Sequence, residues 1–179
     1  LGHHIKLYFL EKKQKYIFNV RDPIGRYHSG FYSRLRKLNN NYSFFEKISF
    51  SFYKDSNSLA EDLNSKNPIK FIISHFSMRS IGHVNEPLSS WFSCKDLTKH
   101  LPEFIFHQST LDEDYKKFCQ KFNLKHSSLP RNEINAHRYD YTGKPKLSEL
   151  AKNNLKKYFE KDIYLYEKIL DYKNKYELD

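Results

Sequence analysis

An α/β fold, rich in helix and poor in strand, is what this sequence predicts, and three features carry the expectation. An apolar strand from Tyr16 to Val20 runs without a linker into a helix opened by Asp22 and Pro23. A second strand–helix unit spans Phe104 to Phe122. Elsewhere the chain repeats one pattern, a capping residue followed by an amphipathic run, which marks helices rather than further strands.

Taken in order, Ile5–Leu10 alternates apolar and polar only briefly and reads as a short strand or an extended approach, and Glu11–Lys15 is a charged turn. Tyr16–Val20 is then a buried strand that ends at Arg21. Asp22 can accept an unpaired backbone N–H with its side chain, and Pro23 occupies the first helical position, where a missing N–H costs nothing. At helical spacing Ile24, Tyr27, Phe31, Leu35 and Leu38 share one face, and Asp22, Arg26, Ser29 and Ser33 share the opposite one. Asn39-Asn40-Asn41 is a break.

The middle of the chain reads as helical. Ser43-x-x-Glu46 is a capping box ahead of Phe45, Ile48 and Phe52, and Ser58-x-x-Glu61 is another ahead of Leu59 and Leu63. Pro68 opens a third helix carrying Phe71, Ile72, His75, Met78 and Arg79, closed by Gly82. Residues 83–103, broken by Pro87 and Pro102, read as loop with Trp91-Phe92 as an aromatic anchor. Phe104-Ile105-Phe106 is a short strand, and Thr110-x-x-Glu113 is a third box opening a helix with Leu111, Tyr115, Phe118, Cys119 and Phe122 on its pattern. Residues 127–145 form a long polar loop, a length that is usually functional or disordered, and function is the reading preferred here. Ser148 caps a helix with Leu150, Ala151, Leu155, Tyr158 and Phe159, and Asp162 starts another with Ile163, Tyr166, Ile169 and Leu170.

A length of 179 residues is enough for one domain with a real core, and the 17% aromatic content argues for a folded one. The formal charge of +10 favours anionic partners without choosing among nucleotide, acidic glycan, nucleic acid and membrane surface. Much of that excess is lysine on exposed helix faces, as in LAKNNLKKYFEKD. Cys94 and Cys119 form neither a disulfide framework nor a metal site of short ligand spacing, and each reads as a small buried residue. No stretch approaches the roughly 20 apolar residues of a membrane span.

Arg21 leaves the carboxyl end of a strand beside a helix N-terminus, where open α/β sheets bind ligands and the helix dipole favours an anion. A phosphate there would meet Arg21, the helix amides and the Ser29 hydroxyl two turns on. The plainer reading pairs Arg21 with Asp22 and leaves Ser29 solvated. The run VRDPIGRYHSGFYSRLR decides between them, because it resembles the 3′-phosphate-binding motif of sulfotransferases that use 3′-phosphoadenosine 5′-phosphosulfate (PAPS), including carbohydrate and heparan-sulfate-type enzymes. STLDEDYKKFCQKF ahead of LPRNE, and the tail NLKKYFEKDIYLYEKIL, are similar to later parts of the same family.

The resemblance implies a P-loop-kinase-like three-layer α/β/α sulfotransferase fold over a single domain of residues 1–179, incomplete at its N-terminus. It implies PAPS as sulfuryl donor with Arg21 and Ser29 on its 3′-phosphate, no metal, and a hydroxyl acceptor of the glycan class. The family's 5′-phosphosulfate-binding loop, a Gly/Ser/Thr-containing turn with a lysine, has no counterpart between Leu1 and Val20. Either it precedes Leu1 or it has been lost, and the chain by itself is expected to be inactive. A histidine after a glycine upstream of RDP is the family's base candidate, which points to His3, with His4 as alternate. His28 reads as packed, while His83 and His137, with Arg138 and Tyr139, are loop residues able to meet acceptor or adenine. The competing reading is a non-enzymatic basic module on nucleic acid or another polyanion, for which no recognised motif is present.

Overall fold

The computed structural model describes residues 15–36, 43–91, 93–99, 101–125, 128–129 and 143–176. Two strands, β1 (Ile17–Val20) and β2 (Phe104–His107), pair in parallel with Ile17 opposite Phe104 and Val20 opposite His107. The helices are α1 (Pro23–Arg36), α2 (Phe44–Phe52), α3 (Ser56–Asp62), α4 (Pro68–Ser80), α5 (Cys94–Lys99), α6 (Leu111–Lys121), α7 (Glu149–Tyr158) and α8 (Glu160–Tyr176). The class is therefore helix-rich α/β with a small parallel sheet. The chain divides into two compact units, one of residues 1–21, 91–140 and 165–179 and the other of residues 22–90 and 141–164.

The first unit holds the sheet. Phe104 and Ile105 of β2 are buried, and the Phe118 ring of α6 lies 5.3 Å from Phe104 and 5.2 Å from Phe106. From α8, Leu165, Ile169 and Lys173 recur every four residues and are all buried. A buried lysine demands a partner. Lys173 finds two, the Asp114 carboxylate at 2.5 Å and the Ile105 carbonyl at 3.1 Å. The expected buried strand at Tyr16–Val20 is one residue shorter and mostly uncovered, with Ile17 about half exposed and Val20 alone buried. Among the described residues β1 has β2 as its one neighbour, so its pleat is covered only in part.

The second unit is helical and is centred on Tyr27 and Phe31 of α1, Phe50 of α2, Leu59 and Leu63 around α3, Met78 and Ile81 around α4, and Ala151, Leu155 and Phe159 around α7. The apolar face read from α1 is the one that packs. α3 and α7 share a polar seam: Asn154 Nδ2 donates to the carbonyls of Ala60 and Glu61, and Ser148 donates to Glu61 Oε1 at 2.6 Å. Close packing also fixes a glycine, since a Cβ on Gly30 would stand 3.1 Å from the His83 carbonyl oxygen.

Several helix starts differ from expectation for local reasons. Ser43 and Glu46 do form the capping box, and Asn67 caps α4 ahead of Pro68. The Ser58 box does not form, because Asp55, three residues earlier, accepts from Ser58 N–H at 2.9 Å and starts α3 sooner. The Thr110 box does not form either, since its hydroxyl donates to Asp114 Oδ2. Asp162 lies inside α8 rather than at its start and serves the chain at 88–89, accepting from Leu88 N–H, Ser89 N–H and the Ser89 hydroxyl. Residues 83–103, expected as loop, contain α5 and a single turn of 3-10 helix at Leu88–Ser90. The candidate strand Ile5–Leu10 and most of the long loop 127–145 lie outside the described residues.

Candidate functional site

The junction between β1 and α1 is built as its residue types dictate. Asp22 Oδ2 accepts the Gly25 N–H at 2.5 Å and its carbonyl accepts Arg26 N–H at 2.8 Å, which anchors the first turn of α1. Pro23 is buried at the first helical position. This cap changes the anion argument. An amide in the first turn is already taken by the Asp22 carboxylate, and Arg21 just before it is exposed.

In the sheet unit, the parallel register sets Val20 beside His107, so Arg21 and Gln108 leave neighbouring strand ends. Carboxyl ends of parallel strands are where α/β folds place ligands. Asn19 Nδ2 donates to Gln108 Oε1 at 3.0 Å and ties the two ends together. His107 is gripped from three sides. Its backbone N–H donates to Asp114 Oδ2 at 2.6 Å, its Nδ1 lies 2.6 Å from the Ser109 hydroxyl, and its Nε2 lies 2.7 Å from the Tyr166 hydroxyl.

Such an imidazole has a fixed ring plane and can pass a proton between two hydroxyls in either tautomeric sense. Asp114, which accepts the His107 backbone N–H, is held in turn by Lys173 and by Thr110. The sequence singled out none of Gln108, Ser109 or His107. The available signal was position alone, the residues that directly follow an apolar strand, whereas Tyr166 lies 59 residues further on and no local pattern names it.

The expected nucleotide residues are placed as follows. Arg21 ends the sheet unit and Ser29 lies within α1 of the helical unit. Ser29 is buried, and its hydroxyl donates to the Arg26 carbonyl at 3.2 Å. Arg26, on the face opposite the apolar one, donates to the Glu86 carbonyl and lies 3.9 Å from Asp162 Oδ2, so it fastens the chain at 86–89 to α1. His28 is packed, with Nδ1 2.9 Å from Ser56 Oγ and its ring edge-on to Tyr32.

His83 is exposed and adopts the left-handed backbone region with φ of 64°. His3, His4, His137, Arg138 and Tyr139 lie outside the described residues. A small pocket lies between Pro102–Ile105 and Lys121, Tyr172 and Lys173. Among the described residues no three His, Cys, Asp or Glu side chains gather as a metal site, and no helix is long and apolar enough to cross a membrane. No protein-family model, no curated protein and no solved structure matches this chain.

Proposed function

We propose that this chain carries the nucleotide-binding part of a PAPS-dependent sulfotransferase of P-loop-kinase-like fold, acting on a hydroxyl of a glycan. The observation that supports the reading most directly is the junction itself. The motif VRDPIGRYHS falls on the end of a strand in a parallel pair and on the capped start of the following helix, the setting in which such a motif has a chemical use.

On this reading Arg21 meets the 3′-phosphate with charge and directed N–H groups, and the Ser29 hydroxyl adds a second contact after turning from the Arg26 carbonyl. Sulfuryl transfer then needs a base for the acceptor hydroxyl and cationic groups for the charge that develops on the bridging oxygen. His3, or His4 beside it, takes the first role in this reading.

The test is a melting series with adenosine 3′,5′-bisphosphate and with AMP. A ligand that binds only the native state raises Tm as its concentration rises. The bisphosphate is expected to raise Tm more than AMP, and Arg21→Ala to abolish the difference. Equal shifts with the two nucleotides, or equal shifts with single-stranded DNA and with the bisphosphate, would overturn the assignment.

A further inference from the structure

α2 and α4 run antiparallel in the helical unit: Phe45, at the start of α2, meets Phe76 near the end of α4 with ring centroids 5.8 Å apart, while Tyr53, just past α2, donates to the Lys70 carbonyl at the start of α4. Each helix turns its small or polar positions inward. Glu46, Ser49 and Phe50 of α2 and Ser74, Ser77 and Met78 of α4 are buried.

Beside this packed face, a second set of large apolar residues falls on the outside. Phe44, Ile48 and Phe52 follow one another at i, i+4, i+8, and Ile69, Ile72 and Phe76 at i, i+3, i+7. Phe44 is 71% exposed, Ile69 66%, Ile72 65% and Phe52 56%. Phe44–Phe45 and Phe45–Phe76 ring contacts join the two rows into one strip.

A surface helix ordinarily keeps its apolar stripe toward the core, and these two carry an outward apolar row as well. Contiguous exposed apolar surface of this kind marks an interaction site.

The charges around the strip select its partner. Glu46 is the one acidic residue in α2 and α4 together, and it is buried against Arg34. Exposed charges beside the strip include Lys47 on α2 and Lys66 and Lys70 around the start of α4, with Asp62 3.4 Å from Lys70. A second copy of the chain would bring further lysines and no exposed carboxylate from either helix to pair them. Side chains exposed by two-thirds project from a surface rather than line a groove, so a docked peptide would have no walls to hold it.

From the outward apolar strip and its lysine flank we infer that α2 and α4 form a face that binds anionic lipid bilayers. Phe44, Phe52, Ile69 and Ile72 enter the interface between headgroups and acyl chains, and Lys47, Lys66 and Lys70 meet the lipid phosphates. The inference does not depend on the nucleotide reading, since it uses neither Arg21 nor Ser29.

Flotation of the full chain with vesicles of about one part phosphatidylglycerol to two parts phosphatidylcholine tests it against phosphatidylcholine alone. Binding is expected to the anionic vesicles and to weaken as salt rises. The variant Phe44→Ser, Phe52→Ser, Ile72→Ser keeps every charge and alters only exposed positions, and it should bind at least about tenfold more weakly at an unchanged Tm. Equal binding to the two vesicle types would overturn the inference, and so would unchanged binding by the variant, which would assign attachment to lysines spread over the surface. A concentration-dependent dimer that the variant abolishes would make the strip an interface between copies instead. Displacement from vesicles by an acidic amphipathic peptide, and not by a scrambled one, would make it a peptide site.

Discussion

Replacing Glu46 with alanine should cost this protein more stability than any surface substitution, and the size of the loss follows from what the carboxylate holds. Oε1 accepts from Arg34 Nε at 2.7 Å and from Gly82 N–H at 2.9 Å, while Oε2 accepts from Arg34 Nη2 at 2.6 Å and from Ser43 N–H at 3.2 Å. One side chain thus joins α1, the start of α2 and the turn after α4. Alanine removes the Glu46 carboxylate from beside the Arg34 side chain, which is only 19% exposed. Breaking a buried pair from one side costs about 3–5 kcal/mol, most of it the uncompensated charge.

Glutamine keeps one acceptor oxygen and should lose about 1–3 kcal/mol, the usual consequence of leaving buried polar groups partly unpaired. Urea unfolding of the wild type and both variants measures this. A loss below about 1 kcal/mol for alanine, typical of an exposed pair, would refute the reasoning.

The pH dependence gives an independent reading of the same group. Burial pushes the Glu46 carboxyl up, but the Arg34 hydrogen bonds, the Gly82 and Ser43 N–H groups and the Arg34 charge outweigh it and hold the carboxyl below its usual range. A depressed folded value means that the stabilisation is complete above the unfolded-chain value of about 4.3 and is lost as pH falls through the lower folded value. The glutamine variant should lack that portion of the acid-induced loss.

Two further outcomes are expected. Lys173→Met should destabilise the sheet unit by about 3–5 kcal/mol by stranding Asp114, and hydrogen exchange at β1 and β2 should accelerate more than exchange in α1. Gly30→Val should cost about 1–3 kcal/mol, because its added carbons meet the His83 backbone, and thermal unfolding reads the loss directly.

What the sequence disclosed, and what it withheld, divides by the reach of the interactions concerned. Asp22-Pro23 and Ser43-x-x-Glu46 were legible because the bonds that define them close within four residues. The sequence spacing of Tyr27 and Phe31 likewise named a buried face. Thr110 failed as a cap because its hydroxyl turns to Asp114, whose place is set by Lys173 from a helix 59 residues later in the chain. Asp162 looked like a helix start and instead holds Leu88 and Ser89, partners more than seventy residues away. The hydroxyl pair around His107 was invisible for the same reason, since Tyr166 reaches it only once the sheet unit has closed.

The division of the chain into segments also fixes when it can fold as it leaves a ribosome. β1 must wait for β2, which begins 84 residues after Val20, and a closure of that length delays parallel pairing. The helical unit is no earlier to finish, because Ala151, Leu155 and Phe159 belong to the core that Tyr27 and Phe31 begin. Lys173, needed beneath β2, comes later still. Neither unit has its full complement until α7 and α8 are made, so before then the chain carries two unfinished cores and the outward apolar rows of α2 and α4 together. Chaperone capture of ribosome-bound chains should therefore persist until α8 is released, and should not decline in two steps as it would for units completed one after the other.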